Sequence, residues 1–83
     1  MNTMEKKANY QILREGHYSD YVIINRQTSY CPYVVCYAFD KEDYTWAQGH
    51  YHQTMDDALV DFYEREMNGL QSNIEAIVEN LEP

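Results

Sequence analysis

The sequence predicts an α+β domain: a four-stranded (three to four) antiparallel sheet followed by one or two C-terminal helices packed on one face. Three observations carry this. Two β-branched apolar runs, "YVIINR" from Tyr21 and "YVVCYAF" from Tyr33, have the composition of strands. The segments "EGHYSD" and "DKEDY" have the turn chemistry and the length of hairpin loops. Beyond Thr54 the apolar period changes from two to 3.6, with Met55, Ala58, Leu59 and Phe62 at i, i+3, i+4 and i+7.

The elements follow in order within one domain over 1–83, with 1–8 as a polar, flexible lead-in, 9–52 as the sheet and 54–82 as helices. "NYQILRE" alternates and is ended by Gly16, which makes it the first strand. The second runs from Tyr21 to Arg26. Pro32 cannot donate to a ladder and marks the entry to the third strand, "YVVCYAF". "TWAQGHYH" is the fourth. Period two puts the small residues Val34, Cys36 and Ala38 on one face, where a helix has room to pack closely. Tyr33, Val35, Tyr37 and Phe39 then share the other face, joined by Trp46, Gln48, His50 and His52. Thr54 is an N-cap with Asp57 three residues on, and two acids in the first turn suit the helix dipole. Asn68-Gly69 reads as the end of that helix, with Gly as the residue after the cap. A second helix is expected from Ser72, with Glu75 closing its capping box and Ile74, Ile77, Val78 and Leu81 as its apolar stripe.

Eighty-three residues make a small core, so a dimer would add stability. Fourteen acids against six Lys and Arg leave a net charge of −8, which argues against direct binding of nucleic acid or an anionic membrane. No run is apolar enough for a membrane span or a signal peptide, and two cysteines, Cys31 and Cys36, suit a reducing compartment. The expected location is the cytoplasm.

Candidate chemistry is sparse. His50 and His52 share a strand face and could chelate an ion, but with Cys31 and Cys36 they match no common zinc spacing. Cys36 lies in the most apolar run, where a thiol is usually inert. No phosphate loop or nucleophile elbow is present. The expectation is therefore no enzyme, no metal and no cofactor.

Charge and aromatic content are more informative. Asp57, Asp61 and Glu64 recur along one helix face, with Arg65 placed to offset Asp61, and Glu75, Glu79 and Glu82 repeat the pattern. Asp40, Glu42 and Asp43 add a third acidic group. Carboxylates at such spacing can stand in for phosphates in a protein's nucleic-acid groove, or can simply keep a small protein soluble. Tyr33, Tyr37, Trp46 and His50 are expected together on the sheet face away from the helices, as a partner-binding or dimer surface.

The stretch "YCPYVVCYAFDKEDYTWAQGHYHQTMDDALVDFYER" resembles small acidic proteins of Gram-positive phages and mobile elements. The matching pieces are Pro32 to Val35, Trp46 to Tyr51 and Thr54 to Ala58. In general character the chain is also similar to anti-CRISPR and anti-restriction proteins. That likeness implies a non-enzymatic inhibitor that binds a bacterial defence nuclease, a CRISPR effector first, and blocks its nucleic-acid-binding surface. The alternative is a small homodimeric regulatory module without nucleic-acid mimicry. A third reading, a metal or catalytic domain built on Cys36, His50 and His52, has the least behind it.

Overall fold

A computed structural model describes residues 10–81. The expected lead-in over 1–8, and Glu82, lie outside the described residues. The chain forms β1 (Gln11–Glu15), β2 (Tyr21–Asn25), β3 (Tyr33–Tyr37), β4 (Gln48–His52) and α1 (Met55–Leu81). The strands make one antiparallel sheet in chain order, followed by a single C-terminal helix. Thr54 caps α1 as expected: its hydroxyl accepts from the Asp57 amide at 3.2 Å.

The helix does not stop at Asn68-Gly69, and no second helix starts at Ser72. One helix of 27 residues runs through both. The reason for the glycine is tertiary. A Cβ at Gly69 would stand 1.8 Å from the Tyr18 carbonyl oxygen, because the β1–β2 loop crosses α1 there. Gly69 marks a close approach, not a terminus.

The two sheet faces are the reverse of the expected assignment. α1 lays Ala58 and Phe62 on Ile23 and Val35, with Leu13, Tyr21, Tyr33, Met55 and Leu59 packed around them. Val34 and Cys36 point the other way, into a second cluster with Ile24 that is covered by Tyr10, Ile12, Val22, Phe39 and Trp46. The small residues leave room for rings from the chain's own loops, not for the helix. A Cβ at Gly49 would meet the Trp46 indole nitrogen at 2.6 Å.

Two irregularities break the simple alternation. Leu13 is an extra residue in β1, since Ile12 faces Ile24 while Arg14 faces Ile23. It therefore lies on the helix side while Ile12 lies on the far side. Ala38 has φ 57 and is exposed, so the expected third member of the small face leaves the sheet at the end of β3. The chain turns there and carries Phe39 across to the far-side cluster.

Candidate partner-binding site

Three donors converge on Asp61 at the edge strand β4. Asp61 Oδ2 lies 3.0 Å from His50 Nδ1 and 2.9 Å from His52 Nε2, and Asp61 Oδ1 accepts from Arg65 Nε at 3.1 Å. The period-two spacing of His50 and His52 places both rings on the helix side of β4, and one turn of helix places Arg65 beside Asp61. The Asp61 side chain is only 13% exposed. Burial alone would raise its pKa. The His52 bond, the His50 charge, and the bonds from His50 and Arg65 outweigh burial and hold the carboxyl below its ordinary 3.8.

A carboxylate so saturated with donors is a poor base. Its chemistry here is to tie α1 to β4. His50 Nδ1 also lies 2.9 Å from an Arg65 guanidinium nitrogen. One ring nitrogen can donate to Asp61 or accept from Arg65, but not both, so the position of the His50 proton selects one of these contacts. Asp61→Ala should cost about 2 kcal/mol in urea unfolding, because it strands Arg65 and both rings. The Asp61 contribution is present above the unfolded carboxyl value and is lost as pH falls through the lower folded one. The variant should therefore be less sensitive to acid than the parent.

The expected stripe of Asp57, Asp61 and Glu64 is thus interrupted, because Asp61 is turned inward and neutralised by its neighbours. Asp57, Glu64, Glu75 and Glu79 are exposed. In the 40–43 turn, Asp40 Oδ1 accepts from the Glu42 and Asp43 amides at 2.8 and 3.2 Å, so that carboxylate shapes its own loop. Glu42 and Asp43 are exposed on it.

The aromatic group is not one surface. Tyr33, Tyr37 and His50 lie on the helix side of the sheet, where Tyr37 meets Tyr21 with ring centroids 5.2 Å apart. Trp46 lies on the far side, with Tyr10 and Phe39 each 6.0 Å away and Tyr51 at 6.5 Å. The reversal of the faces separates them. The far face is filled from within by Tyr10 and by rings of the 39–46 segment.

Cys36 is fully buried on that far face, opposite His50 and His52, and burial pushes its thiol up to about 12 against a weaker lowering by Arg26. Cys31 sits in the β2–β3 loop, with its amide donating to Gln53 Oε1 at 3.0 Å. Among the described residues no group of three His, Cys, Asp or Glu is arranged to hold a metal ion.

Glu66 is a residue that sequence reasoning missed. It is 9% exposed, and it accepts from the His17 amide at 2.9 Å, the Tyr18 amide at 3.2 Å and the Ser19 hydroxyl at 2.6 Å. A signal existed in its position: four residues after Phe62 and eight after Ala58, it continues the sheet-facing row of the helix. Comparison with protein-family models, with curated proteins and with solved structures finds no match to this chain.

Proposed function

We propose that this protein acts by contact and not by chemistry, as an acidic inhibitor that seats its carboxylates in a basic groove of another protein. The favoured target is the nucleic-acid-binding surface of a bacterial defence nuclease, a CRISPR effector first, met in the host cytoplasm. The source of such a chain would be a phage or mobile element, as the resemblance of its central stretch implies.

One observation supports this reading above others. All four bases among the described residues are committed within the chain. Arg65 binds Asp61, Lys41 lies 3.3 Å from Glu15, Arg26 donates to the Tyr30 and Cys31 carbonyls, and Arg14 donates to the Leu13 carbonyl. No ion pair within the described residues neutralises Asp57, Glu64, Glu75 or Glu79. One flank of α1 therefore carries unbalanced negative charge over more than six turns. No helix among the described residues is long and apolar enough to cross a membrane, which agrees with a protein partner in place of a bilayer.

The test is a tagged pull-down from a bacterial lysate containing CRISPR and restriction effectors, at low and high salt. Retention of a nuclease that salt or competing DNA removes is the expected result. The combined variant Asp57→Asn, Glu64→Gln, Glu75→Gln and Glu79→Gln should then bind at least ~10-fold more weakly, mainly through slower association, with a flatter salt dependence. Undiminished binding by this folded variant would remove the acidic flank from the mechanism. Asp61 is left unchanged because its role is internal.

A second reading, a self-pairing regulatory module, is favoured by a different observation: a continuous exposed apolar flank on the same helix.

A further inference from the structure

The apolar residues of α1 fall into two sets. Ala58 and Phe62 face the sheet, while Val60, Tyr63, Met67, Leu70, Ile74 and Ile77 do not. The second set alternates steps of three and four residues, so Val60, Met67 and Ile74 hold one heptad position and Tyr63, Leu70 and Ile77 the other. All six are exposed, from 37% at Leu70 to 68% at Met67. This flank lies about 110° round the helix from the sheet-facing row, and the acidic flank lies a similar angle further on. Asp56, one heptad before Tyr63, ends the seam on the N-terminal side.

We propose that a second copy of this chain pairs with the first along this seam. One feature of the structure selects a copy of itself over a foreign helix, and a second calls for a partner helix. The first is charge. Beside Leu70, Ile74 and Ile77 the flanking heptad positions hold Gln71, Asn73 and Val78, none of them charged, while Glu75 and Glu79 project from the outer side. One and two heptads earlier the position of Gln71 and Val78 is held by Glu64 and Asp57, so two copies running antiparallel set the uncharged flank of one beside the carboxylates of the other, and no row of carboxylates meets another.

The second feature is support. Residues 71–79 are all exposed, with no sheet beneath them. Asn68, Gly69, Ser72 and Asn73 are weak helix formers, and an unsupported helix of about a dozen residues is marginal in water. A second helix in the seam supplies the packing that the sheet does not reach to give. The pairing leaves Glu75 and Glu79 on the outer side, and its test involves no nuclease, so it stands or falls separately from the nuclease reading.

Sedimentation equilibrium of the full chain should give twice its 9.9 kDa mass, and its thermal midpoint should rise with protein concentration. The double variant Ile74→Glu and Ile77→Glu should sediment as one chain and lose the concentration dependence. Both sites lie outside the sheet-facing core, so the Trp46 emission of the folded state should persist. A one-chain mass for the parent up to about 100 μM, with a concentration-independent midpoint, would overturn the proposal, because self-pairing must appear in both. A dimer that survives the double variant would overturn it as well, since another surface would then hold the copies together. The parent's concentration dependence needs no variant and decides the matter even if the variant fails to fold.

Discussion

Glu66→Ala is expected to lower stability by about 3 kcal/mol, read as a shift in urea midpoint with an unchanged slope. The carboxylate reaches from α1 to the β1–β2 loop and accepts from the His17 and Tyr18 amides and the Ser19 hydroxyl, with the Ser19 amide also acting on it. Removing it leaves those donors partly shielded from water and unties the hairpin tip from the helix. Glu66→Gln keeps the volume but turns one acceptor into a donor, and should fall about midway. Acid provides the second readout. Burial would raise the Glu66 carboxyl, but the Ser19 hydroxyl and the amides of His17, Tyr18 and Ser19 outweigh it and hold the group below its ordinary 4.5. A lowered folded value means that its contribution is full above the unfolded value and fades as pH drops through the folded one. In Glu66→Gln that part of the acid limb should flatten. An unchanged acid limb would mean that the loop amides are satisfied some other way.

Gly69→Ala should destabilise the protein by about 2 kcal/mol, against the ordinary sign of the substitution. In an open helix interior, Gly to Ala stabilises by up to ~1 kcal/mol. Here the new Cβ would stand 1.8 Å from the Tyr18 carbonyl oxygen and 2.6 Å from its carbon. Those are backbone atoms, so the 17–20 segment must lift away, and the Glu66 bonds lengthen with it. Because the two changes act on one loop, the double variant Glu66→Ala with Gly69→Ala should lose less than the two single losses combined. A stabilised Gly69→Ala would show that the loop does not press on the helix.

Strand positions were legible because β-branched runs between polar turns have few alternatives, and the start of α1 was legible because Thr54 and Asp57 form a local cap. The end of the helix was not, since Asn68-Gly69 carries the same local signature whether the chain stops or a loop presses on it. The helix-facing side of the sheet was misread for a related reason. Gly49, Cys36 and Val34 do signal close packing, but small residues record only that something large comes near. Here Trp46 and Phe39 do so, brought round after Ala38 adopts a positive φ that no alternation rule anticipates. Among the acids, Asp61 and Glu64 look alike in sequence. Only the fold separates the one gathered into a cluster with His50, His52 and Arg65 from the one left in solvent.

The division of α1 into three flanks also limits how the chain can change in length. Each residue added to a helix turns everything after it by about 100°. A single insertion between Leu70 and Ile74 would swing the distal carboxylates and the distal apolar residues out of line with their proximal counterparts. An insertion of seven would disturb the alignment by only about 20°. Gene variants that lengthen or shorten the distal helix should therefore be tolerated in steps of seven, while single-codon insertions and deletions there should be selected against even though they touch no core residue.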